Sequence, residues 1–149
     1  MSLSIKKVNK KSASRFYSVQ ALFQMEHSEL SVDTVINEFN NYRIGARYND
    51  VEFVTCNKGF FEKLLVTAVS KQKEIDQATN KALVSKWSID RIDPMIRAVF
   101  RAAGAEFILK ITPPKVVIVE FLDVANAFIA DEKGLELTNA ILDQISREL

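Results

Sequence analysis

Apolar residues recur every three to four positions along most of the chain, the period of a helix with one buried face. From about Lys10 to His27, Phe16, Val19, Gln20 and Phe23 fall at offsets 0, 3, 4 and 7, and Leu22 widens the stripe. The pattern restarts in "SVDTVINEF". Ser31 suits the N-cap there, and Val32, Val35, Ile36 and Phe39 repeat the spacing. Residues 40–50, "NNYRIGARYND", are polar, hold Gly45 and read as a connector. A long helical stretch is expected from about Val51, with Phe53, Phe60, Leu64 and Ala68 on one face and Phe61 and Leu65 beside them. Ile75, Ala78 and Ala82 carry a second stripe after the polar "SKQKE". One bent helix and two separate helices both fit, since no Pro or Gly marks a break. Trp87 is expected to anchor neighbouring helices in the core.

Asp93-Pro94 is a strong start signal, because Asp caps and Pro suits the first helical position, where its missing N–H costs nothing. Ile96, Val99, Phe100, Ala103 and Phe107 then mark a buried face, with Arg97 and Arg101 on another. "ITPPK" closes that helix and opens the next, in which Val117, Phe121, Val124, Ala125 and Phe128 lie at offsets 0, 4, 7, 8 and 11. "VVIV" alone would pass for a buried strand, but no partner strand occurs elsewhere, so a helix is expected. After the turn "ADEKG", a last helix from about Leu135 places Leu137, Ile141 and Ile145 on one side. These elements predict an all-α protein of six to seven helices in one domain spanning residues 1–149. Two packed sub-bundles, roughly 10–82 and 88–149, would join near residues 83–93, with 1–9 as a basic arm.

Composition agrees with this. The chain has 149 residues, enough for an ordinary core without staples, and only four Gly and three Pro, which favours long helices over many turns. Cys56 is the single cysteine, so no disulfide forms within the chain, and a buried structural thiol is expected. No apolar run approaches the ~20 residues that span a bilayer, and the opening "MSLSIKKVNKK" lacks the apolar core of a signal peptide. A cytoplasmic location without membrane contact is expected.

Charge changes the picture more. The net charge is only +1, but "KKVNKKSASRFYSVQALFQM" holds Lys6, Lys7, Lys10, Lys11 and Arg15 and no acidic residue. The first carboxylate is Glu26. Such a block points to contact with a polyanion at the N-terminus; a solvated tail is the plainer alternative. Lysines on an arm neutralise phosphates without demanding geometry, while the guanidinium of Arg15 can hold a phosphate bidentately. Gln20 could address a base edge or be a buried polar residue. Arg97 and Arg101 form a second cationic row, or pair with Glu106. Catalysis finds little material. His27 is the only histidine, there is one cysteine, and no phosphate-binding glycine loop occurs, so neither a cofactor, a metal site nor an enzyme is expected.

Four blocks, "SASRFYSVQALFQME", "IRAVFRAAGAEFIL", "TPPKVVIVEFLDVANAF" and "LTNAILDQI", occur in the order and at the distances of the NusB family of bacterial transcription antitermination factors, and the chain resembles that family over nearly its whole length. The resemblance implies two three-helix sub-bundles. It implies binding of boxA RNA from ribosomal RNA leaders together with NusE, a small-subunit ribosomal protein, and assembly with NusA, NusG and RNA polymerase. It maps the RNA-binding segment to Lys10, Lys11 and Arg15, with Lys6 and Lys7 just upstream, and adds Gln20, Arg101 and Asn139. It maps partner contacts to Phe23 and Glu106. The chain departs from the family pattern in using lysine for most of the arginines, Phe23 for a tyrosine, Val119 for an asparagine, Leu137 for a phenylalanine and Ala140 for a glycine. Five N-terminal charges on single-strand phosphates would give a log–log salt slope of about −3.5.

Two other readings remain open at this point. The fold could serve as a protein-interaction module or form a homodimer, with the basic arm merely solvated. NusB-like domains also lead some RNA cytosine methyltransferases, but 149 residues are expected to leave no room for a cofactor domain.

Overall fold

The computed structural model describes residues 9–48, 51–52, 54–83 and 89–149. Within them the chain forms α1 (Lys10–Glu26), α2 (Val32–Tyr42), α3 (Lys58–Ser70), α4 (Gln72–Ala82), α5 (Pro94–Leu109), α6 (Pro114–Ala125) and α7 (Glu132–Glu148). A single 3₁₀ turn, Ile89–Arg91, precedes α5. In the expected connector after α2, β1 (Arg47–Tyr48) pairs antiparallel with β2 (Val51–Glu52), which opens the stretch expected to be helical; the pair is too small to form a layer. The protein is all-α, as its periodicity predicts.

Local chemistry sets most helix ends. Ser31 Oγ accepts the Thr34 N–H at the start of α2, and Asp93 Oδ1 accepts the Met95 N–H with Pro94 at the first position of α5. The stretch expected to be helical from Val51 instead starts at Lys58, where Asn57 caps by accepting the Phe60 N–H. Apolar spacing alone does not reveal that Val51 and Glu52 form a short strand and that residues 54–57 lie outside any helix. The ambiguity over residues 58–82 resolves into two helices that meet at Lys71, which ends α3 and opens α4 without a side-chain cap. Phe53 and Trp87, expected in the core, lie outside the described residues.

Helix α5 is the axis of the fold. From Arg97 to Phe107 every residue except Arg101 is buried, and α5 packs against α1, α3, α4, α6 and α7. Its sequence permits this. Ala98, Ala102, Ala103 and Ala105 keep its flanks thin, and Gly104 lets α4 approach so closely that a Cβ there would lie 2.5 Å from Ile75 Cγ2. The large core side chains around it are Phe39, Phe61, Phe100, Phe121, Leu64, Leu65 and Leu142, all essentially without solvent contact. Of the last helix's expected stripe, Ile141 and Ile145 are buried, but Leu137 is 56% exposed, and Thr138 and Leu142 complete the inward face. Leu137 instead rims an apolar groove with Ile92, Ile96, Phe100 and Ile129. Phe128 falls just beyond α6 and is also exposed, stacking on Phe16 with ring centroids 6.4 Å apart.

Candidate nucleic-acid interface

The basic segment divides in the folded chain. Lys6 and Lys7 lie outside the described residues. Lys10 and Lys11 are exposed at the first two positions of α1, which Asn9 caps by accepting the Lys11 N–H. Arg15, one and a half turns further on, faces the interior at 4% exposure. Its Nε and Nη2 donate to the two carboxylate oxygens of Glu106 at 2.7 and 2.8 Å, and its Nη1 donates to Glu120 Oε1 at 2.8 Å. Ser12 Oγ donates to that same Glu120 oxygen. Burial works to lower the Arg15 pKa, but the hydrogen bond and charge of Glu106, with those of Glu120, outweigh it and raise it.

This arrangement revises two expectations. A guanidinium that is buried and bound bidentately by one carboxylate is not a free phosphate ligand, so Arg15 holds the helix in place instead of gripping RNA. Glu106 is wholly buried, so it cannot touch a partner; it is the counter-charge of Arg15. Nor does Glu106 pair with Arg97 or Arg101. Arg97 binds Glu26 through Nε and Nη2, while Arg101 binds both oxygens of Asp76 at 3.0 and 2.9 Å and reaches Glu26 at 3.1 Å. The hydrogen bond from Arg97, ahead of the cost of burial, holds the Glu26 carboxyl below its ordinary pKa.

The remaining candidates are spread out. Gln20 is half-buried on α1. Phe23 is half-buried near the far end of α1, its ring 4.6 Å from that of His27. Asn139 is exposed on α7. Arg101, on α5, pairs with Glu26 at the C-terminal end of α1, and the 17 residues of α1 put that end roughly 25 Å from Lys10. Lys10 and Lys11 therefore form one cationic edge, and Arg101 is not part of it.

Sequence reasoning missed a feature at that edge. The Asn57 N–H donates to the Lys10 carbonyl at 3.3 Å, and Ser14 Oγ donates to the Asn57 carbonyl at 2.7 Å, so the start of α3 lies against the start of α1. Lys11 Nζ sits 5.3 Å from the centre of the Phe60 ring, and Arg15 Cζ lies 5.2 Å from the same ring. Lys58, exposed at the first position of α3, joins this edge. The only signal in the sequence is a lysine after a capping asparagine, which is too common to interpret alone. Cys56 precedes it in a loop; it is buried as expected, and burial pushes its thiol pKa up despite the bond from Ser14 and the charge of Lys58, as suits a structural thiol.

Comparison with known proteins agrees with the geometry. The family model described as "NusB family" matches residues 12–147. The transcription antitermination protein NusB of Maricaulis maris is 39% identical over 136 residues, covering 91% of this chain and 84% of that protein. Among solved structures, T. maritima NusB superposes with a TM-score of 0.72 at 22% identity, covering 92% of this chain and 90% of that one. A structure of antitermination factors NusB and NusE in complex with dsRNA gives a TM-score of 0.70 at 24% identity over 94% of this chain and 98% of its counterpart. With a matching family model across nearly all its length and a relative this similar, the chain belongs to the NusB family.

Proposed function

We propose that this protein binds the boxA segment of nascent ribosomal RNA leaders in the cytoplasm, jointly with NusE, and that the pair then joins NusA, NusG and RNA polymerase. The coarser role follows from the family: NusB proteins are transcription antitermination factors, RNA-binding and not enzymes. The solved NusB relative bound to NusE and dsRNA supports both partners.

The observation that carries the reading is the outward pair Lys10 and Lys11 on a helix whose register is locked from inside. Neither ammonium group is paired with a carboxylate among the described residues. A phosphate strand supplies the missing counter-charge, and its binding releases condensed cations. Ammonium groups position a strand without reading its bases, so sequence preference must come from the partner and from neighbouring side chains such as Asn139 and Gln20. Phe23 and the half-buried end of α1 are assigned to the partner surface.

The test is a gel-shift with boxA RNA, with and without NusE, using the full chain and a Lys10→Ala/Lys11→Ala variant. The expected result is synergy between the proteins, and loss of RNA binding but not of NusE binding in the variant. RNA binding that is indifferent to both substitutions would overturn the assignment and leave the protein-interaction reading in its place.

A further inference from the structure

We infer that Lys58 is a phosphate-contacting residue, and that the RNA strand is held across the starts of α1 and α3 together instead of along the N-terminal segment alone. The inference rests on the RNA-binding reading above and adds a residue that lies more than forty positions from the basic segment.

Three observations carry it. The first is placement. Asn57, bonded to Lys10 and Ser14 of α1, precedes Lys58 directly, so their Cα atoms are about 3.8 Å apart. The Phe60 ring, itself buried, then supports Lys11. Lys10, Lys11 and Lys58 thus share one face at the junction of two helices.

The second is the lack of internal neutralisation. The Lys58 ammonium forms no ion pair among the described residues. Glu62, one turn along α3, is bonded instead to Asn40 Nδ2, at 3.4 Å.

The third is that these lysines oppose the fold's own electrostatics. The start of a helix carries partial positive charge and favours acidic residues. Helices α2, α4 and α7 follow that rule with Asp33, Glu74 and Glu132, and α5 does so with its Asp93 cap. Helices α1 and α3 have neutral Asn caps, no acidic residue in the first turn, and lysines at its opening positions; α6 likewise starts without an acidic residue and carries Lys115, but only the starts of α1 and α3 are bonded to each other, through Asn57. Three cations on two abutting positive helix ends run against the helix dipoles, and among the described residues the Phe60 ring under Lys11 is their one support. An anionic strand lying across them reverses the sign of the interaction.

Lys58 also restores the charge that Arg15 withdraws by turning inward. Four N-terminal lysines would give a salt slope of about −2.8, and Lys58 returns it to about −3.5.

The test measures binding of a single-stranded boxA oligonucleotide by fluorescence anisotropy over a range of salt concentrations, with thermal unfolding of each protein alongside. Lys58→Ala is expected to weaken low-salt affinity several-fold and to flatten the log–log slope by about 0.7. Lys58→Glu is expected to weaken binding further while leaving the melting temperature unchanged or higher, because an acidic residue suits that helix position. A structural role would move both readouts in the same direction, so a melting temperature that falls along with affinity overturns the inference. Wild-type affinity and slope in Lys58→Ala, with binding lost in Lys10→Ala/Lys11→Ala, also overturns it while leaving the RNA-binding reading intact. If neither set of substitutions affects binding, both fall. Lys73→Ala, an exposed lysine on α4, serves as the control and should bind as the wild type does.

Discussion

The two ends of α1 are fastened to α5 by ion clusters of opposite composition. At the N-terminal end one guanidinium, Arg15, sits between two carboxylates, Glu106 and Glu120. At the C-terminal end one carboxylate, Glu26, sits between two guanidinium groups, Arg97 and Arg101, with Asp76 beyond. The Arg15–Glu106 pair of the first cluster is closed to water, with side chains at 5% and 0% exposure, while Glu120 at its rim and the members of the second cluster are partly open. The ends also differ on the outside. Lysines surround the first cluster without internal partners, whereas the arginines of the second are its own partners. Cations that are paired inside fix the register of α1, and only cations left outside can meet a strand. The binding face therefore belongs to the end whose surface charge the fold does not neutralise.

This contrast can be broken in four ways, from the largest effect to the smallest. Glu106→Ala leaves Arg15 charged in a buried site with only Glu120 to face it, and should lower unfolding stability by about 3–5 kcal/mol in urea titrations. A loss comparable to that of an exposed pair would mean that the two clusters are alike. Arg101→Ala removes charge-assisted bonds in the more open cluster, and about 1–3 kcal/mol is expected by the same assay.

A pH series on Glu26→Gln probes the C-terminal end without disturbing the other. The Arg97 bond depresses the Glu26 pKa in the folded chain below its ordinary 4.5. Its contribution is therefore complete above that value and disappears as pH falls through the lower folded one. Wild-type and variant melting temperatures should differ at neutral pH and converge in acid; a gap that persists in acid would show that the ion pair is not its source. The smallest effect on the fold is Lys10→Ala, expected within about 0.5 kcal/mol of wild type by denaturation. A larger loss would mean that the outer lysine belongs to the scaffold.

Much of the fold was legible from local signals. The Ser31 and Asp93-Pro94 starts and the stripes Val35–Ile36–Phe39 and Val117–Phe121–Val124 needed only neighbours within a few turns, because capping and helical periodicity act over that range. The misplaced start of α3 shows the limit of periodicity, since the residues before Asn57 pack a few apolar groups without being helical. The candidate site was legible only in part. Lys10 and Lys11 could be read as outward cations, while Arg15, in the same run and equally basic, could not be told apart from them.

The amino-acid sequence by itself determined the all-helical class, the starts of α1, α2, α5 and α6, the family, and a cationic segment at one end, since each is written in spacing, composition or short motifs; α7 begins at Glu132, inside the expected turn, and α6 ends at Ala125, short of Phe128. Only the tertiary structure decided which charges stay available. Arg15 meets Glu106 across 91 positions, Arg97 meets Glu26 across 71, and Lys58 reaches Lys10 through a bond made by Asn57. The physical reason is that a charge is neutralised by what lies within a few ångströms of it, and in a helical bundle those neighbours come from other helices, whose approach is set by side-chain packing and not by distance along the chain.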